Sequence, residues 1–276
     1  MRIAYLGPAG TFTEDALGEA ASGEFEPLRT ATIHDAILAV ERGEADRALV
    51  PFENSIEGSV RVTLDTLAFE AEAVTIVGEH DYAVRAHLIG REGIELGEVE
   101  AVLSHQQPLA QCARFLREQL AGVELRSVSS TAAAVRMVAE SVRPWAAIGS
   151  RAAAQLYGCE ILREGIQDEA DNVTRFVWIA PAGTEPAGSG AWKTSLVFSE
   201  LGEDHPGALV NALREFSDRK INLSRIESRP LRSGLGRYMF FCDLEGSAAD
   251  GPVAEAIGEL RAKAESVRIL GSYPVE

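Results

Sequence analysis

The chain contains little cysteine, and the way its cysteines are spaced excludes two kinds of site. Its 276 residues include Cys112, Cys159 and Cys242, which lie far apart and form no Cys-x-x-Cys pair. Disulfide-stabilised secreted domains and structural zinc sites both depend on several cysteines at characteristic short spacings. We therefore expect buried thiols, with neither a disulfide framework nor a zinc cluster.

Long apolar runs and an export signal are also missing. No stretch of about 18 apolar residues is present, although a membrane-spanning helix needs roughly that length. The first residues, MRIAYLGPAG, pass directly from a short apolar run into a turn, without the apolar core and cleavage site of a secretory signal. These features predict a cytoplasmic protein that does not enter a membrane.

Positive charge is scarce, and lysine is especially rare. Asp and Glu number 42 against 26 Lys and Arg, and the formal net charge is −16. The lysines are Lys193, Lys220 and Lys263. Since nucleic-acid-binding proteins present clustered basic residues to phosphates, this composition argues against such a partner. Strong salt screens repulsion within an acidic surface, so the carboxylate excess favours a high-salt host over the alternative, the arginine bias of a GC-rich genome.

Apolar runs of strand length alternate with amphipathic segments through the first 180 residues, which is typical of an α/β fold. The predicted strands begin at Arg2, Arg47, Val74, Glu100, Ala146 and Thr174. The predicted helices start at the N-cap Thr32, at Pro108, and at the N-cap Ser130 or Thr131.

A segment rich in Pro, Gly, Ser and Thr, residues 181–192, interrupts this pattern and predicts a linker. Residues 193–276 then show the order strand, helix, strand, strand, helix, strand, which is the ferredoxin-like βαββαβ arrangement. The sequence therefore predicts an α/β part over 1–180, a linker over 181–192 and a second domain over 193–276.

Three polar motifs follow predicted strands, and ligands of open α/β sheets bind at the carboxyl ends of strands. They are GPAGTFT from Gly7 to Thr13, PFENSIEGSV from Pro51 to Val60, and SHQQPLAQC from Ser104 to Cys112. The first offers backbone N–H groups at a helix start to an anion, but it has neither a dinucleotide fingerprint nor a Walker lysine. Taken singly, each motif is also explained by an ordinary turn or helix cap. His105 has no companion cysteine or carboxylate and is predicted to be a turn residue.

A fourth motif, DEADNVTRFVWIA from Asp168 to Ala180, joins an acidic loop to an apolar strand. Arg175 could bind a carboxylate through two hydrogen bonds, and Thr174 could hydrogen-bond a hydroxyl group. An ion pair from Arg175 to Asp168 or Asp171 is the simpler interpretation when the motif is considered alone.

In their order and spacing these motifs, together with the STAAA helix start and AIGSRAAAQLYG, resemble the prephenate dehydratase family over essentially the whole chain. The resemblance implies two α/β lobes, similar to periplasmic binding proteins, with the substrate in the cleft between them. The catalytic residues that it implies are Thr174, Arg175 and Phe176. The substrate-binding residues that it implies are Thr11, Asn54, Ser55, Ser104, Gln111 and Asn172. Gln106 stands where the family usually has proline, a difference that concerns the local turn.

The C-terminal part resembles an ACT domain through GAL at Gly207 to Leu209 and ESRP at Glu227 to Pro230. This likeness implies L-phenylalanine as an allosteric effector and a homo-oligomer, either a dimer or a tetramer. In DHPGAL, Asp204 to Leu209, backbone N–H groups at a helix start would suit a carboxylate. The effector site is implied to comprise Gly207, Ala208, Leu209, Glu227, Ser228, Arg229 and Pro230.

The implied reaction converts prephenate into phenylpyruvate with loss of carbon dioxide and water, in phenylalanine biosynthesis, and needs no cofactor or metal. Thr174 is expected to hydrogen-bond the departing hydroxyl, while Arg175 and the helix starts near Thr11 and Ser104 hold the carboxylates. Three alternatives remain open: an arogenate dehydratase, a non-catalytic amino-acid sensor, and a periplasmic solute receptor. The last conflicts with the missing signal peptide and the ACT-like module.

Overall fold

The computed structural model describes residues 1–202 and 206–275, so Asp204 and His205 of the DHPGAL motif lie outside the described residues. The chain divides into two compact units. Unit 1 consists of Met1–Thr66 and His80–Val177, and unit 2 of Leu67–Glu79 and Trp178–Glu276. A short segment that precedes residue 80 in sequence thus belongs to the C-terminal unit.

The first lobe of unit 1, residues 1–66, is built around a parallel sheet in which β1 lies between β2 and β3. A two-residue strand, β4, pairs antiparallel with the end of β3. The elements that begin in this part of the chain are β1 (Arg2–Leu6), α1 (Phe12–Ala20), β2 (Glu26–Thr30), α2 (Ile33–Glu41), β3 (Arg47–Asn54), β4 (Gly58–Ser59) and α3 (Arg61–Phe69). Its core is apolar, and residues such as Ile3, Leu49 and Val50 are fully buried.

The second lobe of unit 1, residues 87–166, contains a five-stranded sheet in the order β10-β6-β9-β7-β8. Apolar clusters cover this sheet and include Val102 and Ile148 in one and Leu103 and Val135 in the other. The strands and helices are β5 (Val74–Ala83), which leads into the lobe, β6 (His87–Gly90), β7 (Ala101–Ser104), α4 (Gln106–Gln111), α5 (Ala113–Gln119), β8 (Glu124–Ser127), α6 (Thr131–Glu140), β9 (Trp145–Gly149), α7 (Arg151–Leu156), β10 (Glu160–Arg163) and β11 (Val173–Pro181), which leads out of it. A 3₁₀ turn spans Leu96–Glu98.

Unit 2 contains an antiparallel sheet in the order β13-β14-β12-β15, with α8 and α9 packed on one face. Its elements are β12 (Ala191–Ser199), α8 (Ala208–Ser217), β13 (Leu223–Pro230), β14 (Tyr238–Glu245), α9 (Gly251–Arg261) and β15 (Ser266–Val275). The predicted βαββαβ order is therefore confirmed. Within the same unit, Gly271 of β15 pairs with Ile76 of β5.

The predicted α/β class and the six strands of the first part are confirmed, but five strands were missed. Three of these, β2, β8 and β10, are short edge strands that carry charged residues, while β4 has only two residues and β6 only four. Short, charged edge strands are a common way to prevent pairing between molecules, and they leave little apolar pattern in the sequence.

The single helix predicted from Pro108 onward is wrong, because the segment forms two helices that are separated at Cys112. The backbone N–H of Asp168 donates to the Gln111 carbonyl at 2.7 Å, and the Asp168 carboxylate accepts from the N–H of Arg114 at 3.1 Å. Asp168 thus caps both new helix ends, a tertiary contact that local sequence does not reveal. Both N-cap predictions are confirmed, because Thr32 accepts from the N–H of Asp35 and Ser130 from that of Ala133. In the described parts of the chain, no helix is both long enough and apolar enough to cross a membrane.

Candidate active site

Asn54, the last residue of β3, holds two of the predicted site residues by hydrogen bonds. Its Nδ2 lies 2.9 Å from the hydroxyl oxygen of Thr174 and 2.7 Å from Oδ1 of Asn172. Its Oδ1 accepts from the backbone N–H groups of Ile56 and Glu57, both at 3.0 Å. Because backbone N–H groups can only donate, these two contacts fix which end of the amide faces Thr174. The Thr174 oxygen therefore accepts from Asn54 and keeps its own proton to donate.

The same amide network reaches the second lobe. Asn172 donates from Nδ2 to Oε1 of Gln111 at 3.3 Å, and Gln111 donates from Nε2 to Oε1 of Glu57, also at 3.3 Å. Since the Glu57 N–H returns to Asn54, the four side chains form a closed ring between the two lobes. Glu57 was not among the predicted residues, although its position in the PFENSIEG motif, in the turn that Asn54 caps, is a signal that could have identified it.

Ser55 fixes the start of β11 beside β3. Its hydroxyl donates to the carbonyl of Asp171 at 2.9 Å and accepts from the N–H of Val173 at 3.0 Å. A backbone bond from the Ser55 N–H to the Val173 carbonyl, 2.8 Å, completes the contact. Ser55 therefore positions the residue that precedes Thr174.

Arg175 and Phe176 lie on opposite sides of β11. The Arg175 guanidinium lies over the ring of Phe52, 4.7 Å from its centroid, with a terminal nitrogen 4.0 Å from Glu53. Phe176 is buried and packs edge-on against Tyr82, with 6.3 Å between ring centroids. Phe176 is thus a buried residue on the same side of β11 as Thr174, while the Arg175 charge lies on the other side, near the carboxylate of Glu53.

A cavity of about 580 Å³ lies next to the starts of three helices, α1, α4 and α6. Its lining includes Thr11, His105, Ser130 and Arg136, but within the described residues it does not include Thr174. Backbone N–H groups and helix dipoles make such helix starts favourable for carboxylates. Arg136 adds a positive charge; it was not predicted, since nothing in TAAAVRMVAES distinguishes it from a solvent-exposed helix residue.

Thr11 and Ser104 occupy different environments. Thr11 is the N-cap residue of α1 and lines the cavity. Ser104 is fully buried at the end of β7 and donates to the carbonyl of Ile148 at 2.8 Å. Ser104 therefore ties β7 to β9, and the neighbouring His105 is the residue that faces the cavity.

The two lobes of unit 1 also meet where α1 approaches α7. The Ser150 hydroxyl donates to the Gly10 carbonyl at 3.0 Å and accepts from the N–H of Ala153 at 3.0 Å. Gly10 has a φ of +81°, and a Cβ there would lie 3.1 Å from Ala153, so only glycine suits this approach. Burial raises the pKa of Asp15, although the neighbouring hydroxyl groups of Ser150 and Tyr82 and the N–H of Ala152 act in the opposite direction.

A second cavity, of about 450 Å³, lies beside this contact and is lined by Asp15, Glu19, Tyr82, Arg85, His87 and Arg151 among others. Burial lowers the pKa of His87, and the positive charge of Arg151 lowers it further. In the part of the chain that the structure describes, no group of three or more His, Cys, Asp or Glu side chains is placed to hold a metal ion.

In unit 2, the predicted effector residues Gly207, Ala208 and Leu209 line a cavity of about 260 Å³ together with Tyr238 and Phe240. Gly207 is the N-cap residue of α8 and has a φ of +94°. The four ESRP residues, 227–230, lie on β13 and do not line this cavity within the described residues. The ESRP residues instead lie on the strand next to the one that carries Tyr238 and Phe240.

Comparison with known proteins agrees with this architecture. The model of the prephenate dehydratase family matches residues 3–184, and the ACT domain model matches residues 200–262. A prephenate dehydratase of Mycolicibacterium smegmatis is 42% identical over 286 residues, which covers 100% of this chain and 91% of that one. The chloroplastic arogenate dehydratase/prephenate dehydratase 2 of Arabidopsis thaliana is 40% identical, with coverages of 100% and 73%.

Among solved structures, the prephenate dehydratase of Arthrobacter aurescens in complex with L-Phe superposes with a TM-score of 0.90 at 39% identity, covering 99% of this chain and 90% of that one. The fold, the order of the domains and the family inferred from the sequence motifs are therefore confirmed. The chain belongs to the prephenate dehydratase family and carries an ACT domain after its catalytic part.

Proposed function

We propose that the chain converts prephenate into phenylpyruvate, carbon dioxide and water in phenylalanine biosynthesis, at the ring of side chains around Asn54 and Thr174. The hydrogen bond from Asn54 to the Thr174 hydroxyl is the observation that carries the proposal, because it leaves the hydroxyl proton for an acceptor on the substrate. We further propose residues 1–180 as the catalytic domain, 181–192 as the linker and 193–276 as the regulatory domain.

The reaction breaks two bonds of the prephenate ring. The electron pair of the bond to the ring carboxylate moves into the ring as carbon dioxide leaves, and the electron pair of the ring C–O bond departs with the hydroxyl. One proton must reach that hydroxyl for water to form, and solvent supplies it overall. The product ring becomes aromatic, which drives the reaction.

Thr174 is the residue that we assign to the departing hydroxyl. A threonine hydroxyl is too weak an acid to act strongly as a proton donor alone, so most of its effect should come from orientation and from a fixed hydrogen-bond donor in a preorganised field. Phe176 would support β11. Asn172, Gln111 and Ser55 would keep Asn54 and the start of β11 in place.

The two carboxylates of prephenate need positive partners. The cavity beside α1, α4 and α6 supplies helix starts near Thr11 and Ser104, and Arg136 lies in its lining. Arg175, which is held over Phe52, supplies a guanidinium that could bind a carboxylate through two hydrogen bonds.

Regulation by L-phenylalanine is part of the proposal. We assign the effector site to Gly207, Ala208, Leu209, Glu227, Ser228, Arg229 and Pro230. Within the described residues the GAL segment lines a cavity that the ESRP segment does not line, which favours a site completed by a second copy of the chain. Exposed apolar residues on the surface of unit 2, including Val210, Ile226 and Leu235, support a homo-oligomer, a dimer or a tetramer.

Two further expectations come from the sequence, the first from its missing export signal and the second from its acidic composition. We propose that the protein acts in the cytoplasm and that its net charge of −16 is an adaptation to high salt. In that case its activity and thermal stability should rise with salt concentration, because the repulsion among its carboxylates is screened.

One assay tests the function. The purified protein is incubated with prephenate or with arogenate, without added cofactor, in low and high salt, with and without L-phenylalanine. Phenylpyruvate formed from prephenate and suppressed by L-phenylalanine is the expected result. Phenylalanine formed from arogenate, with prephenate left unchanged, would favour the arogenate dehydratase. Folded protein that converts neither substrate would favour a non-catalytic amino-acid sensor.

A further inference from the structure

A line of buried polar side chains crosses the sheet of unit 2 on the face opposite its helices. Ser195 donates to Oδ1 of Asp243 at 2.7 Å, and its oxygen lies 3.1 Å from the hydroxyl of Tyr273. Tyr273 in turn donates to Oε2 of Glu79 at 3.2 Å. Ser195, Asp243 and Tyr273 are at most 1% exposed. The flanking residues of β12 and β14 that point the other way, Leu196 and Cys242, belong to the core beneath the helices.

Cations accompany both carboxylates of this line. Lys193 forms an ion pair with Glu79, and both side chains are largely buried. Arg225, which is 8% exposed, is the cross-strand partner of Asp243 and donates to Glu227 at 2.6 Å. Strand pairing thus places Asp243 opposite Arg225 of β13, and Arg225 bonds the first residue of the ESRP segment.

Burying such a line of polar and charged side chains lowers the stability of a small sheet. Taking charged groups out of water costs several kcal/mol for each ion, and the attraction between partners only offsets this cost when the geometry is good. Apolar residues would pack the same space without that cost. A network of this kind suits a role that depends on its polar groups.

The hydroxyl groups of this line have more hydrogen-bond contacts than protons to donate. A carboxylate only accepts hydrogen bonds, so Ser195 gives its single proton to Asp243. The single proton of Tyr273 can then point to Glu79 or to Ser195, but not to both. The Tyr273 hydroxyl thus has two hydrogen-bonded arrangements with the same neighbours, and the position of the Glu79 carboxylate decides between them.

One end of the line lies on a strand that continues into the catalytic unit. Glu79 belongs to β5, and Tyr82 of the same strand packs against Phe176, beside Arg175. Coupling between two sites requires an element with two states whose balance both sites can change. We propose that the Tyr273 hydroxyl is this element, through which the ESRP segment acts on β5 and thereby on the strand that carries Thr174. This proposal rests on the regulation by an amino acid put forward above.

The test uses the full-length protein and a Tyr273→Phe variant, which removes the hydroxyl and keeps the ring. Turnover without effector and the affinity for L-phenylalanine, measured by calorimetry, should stay within about twofold of wild type, whereas the factor by which saturating L-phenylalanine reduces kcat/KM should fall by about tenfold. Ser195→Ala should produce the same loss of inhibition, so the proposal can still be tested if the Tyr273→Phe variant does not fold.

Thr194→Val is the matched control. It removes a fully buried hydroxyl from the residue next to Ser195, but that hydroxyl bonds the Gly246 carbonyl and Ser272, away from the line. Inhibition should survive in this variant. If L-phenylalanine inhibits Tyr273→Phe and Ser195→Ala as strongly as it inhibits the wild type, with unchanged effector affinity, the proposed role of Tyr273 is wrong but regulation by L-phenylalanine stands. A wild-type enzyme that converts prephenate but does not respond to L-phenylalanine would overturn both the regulatory role and the proposed role of Tyr273.

Discussion

Asn54 donates a hydrogen bond from Nδ2 to the Thr174 hydroxyl at 2.9 Å, while its Oδ1 accepts from two backbone N–H groups. The orientation of the amide is thus set by the protein itself. This single contact makes the hydroxyl of Thr174 an acceptor toward its own chain and a donor toward whatever occupies the site.

Removing the Thr174 hydroxyl should therefore abolish most of the catalysis and leave the fold intact. We expect Thr174→Val to lower kcat by about 100-fold or more, since the departing hydroxyl loses its donor. Steady-state turnover of prephenate and a thermal melt measure the two effects. Thr174→Ser keeps the hydroxyl and should recover much of the rate. Nearly unchanged turnover in Thr174→Val would remove Thr174 from the mechanism.

Asn54→Asp tests the direction of the hydrogen bond. An aspartate can keep the turn, because one carboxylate oxygen can still accept from Ile56 and Glu57. Its other oxygen would replace Nδ2. It would lose the hydrogen bonds that Nδ2 donates to Asn172 and to the Val173 carbonyl, and it would accept the Thr174 proton, which is then no longer offered to the substrate. We expect kcat to fall by about 100-fold, as in Thr174→Val, and the double variant to lose little more, because groups that act together are not additive. Fully additive losses would contradict this arrangement.

The contact between the lobes at Ser150 should contribute more to stability than an ordinary helix cap. Ser150→Ala loses the cap of α7, worth about 1 kcal/mol, and leaves the Gly10 carbonyl without this donor, which costs about 1–3 kcal/mol more when the group is buried. Ser130→Ala loses only the cap of α6 and should cost about 1 kcal/mol. Urea unfolding curves of both variants give the comparison. Equal losses would mean that the bond to Gly10 adds nothing.

The motifs of the candidate site are visible in the sequence because they are local. Asn54, Ser55, Asn172 and Thr174 lie in two short segments that follow or begin strands, and the structure brings these segments together by hydrogen bonds. The sequence could not supply the contacts between residues that lie far apart along the chain. Examples are the cap that Asp168 provides at the break after α4 and the approach of Gln111 to Glu57.

The line from Glu79 to Asp243 illustrates the same limit. Glu79 is in β5, far from Tyr273 and Ser195 in sequence, and nothing in VTIVGEH marks that glutamate as part of the C-terminal unit. Buried polar residues in strands are seen in a sequence only as interruptions of an apolar pattern. Their partners are set by strand order and register, which a single sequence does not determine.

His87 should make unit 1 less stable as the pH falls. It is 5% exposed, and its Nδ1 accepts from the N–H of Gly165 at 3.3 Å. Burial and the charge of Arg151 lower its pKa below the ordinary 6.5, while Glu164 acts in the opposite direction and Arg85 in the same one. As pH falls through 6.5, the unfolded chain therefore binds a proton before the folded chain does, and stability is lost until the pH reaches the lowered value.

His87→Asn should remove this dependence, because the asparagine Oδ1 can take the place of Nδ1 as acceptor but does not titrate. Urea midpoints of wild type and variant are measured from about pH 7.5 to about pH 5. The wild-type midpoint should be higher than that of the variant near pH 7.5, and the two midpoints should be closer together near pH 5. The other titrating groups affect both proteins alike, so the difference between the midpoints isolates His87. A difference that does not change with pH would mean that His87 has the same affinity for protons in the folded and unfolded chains.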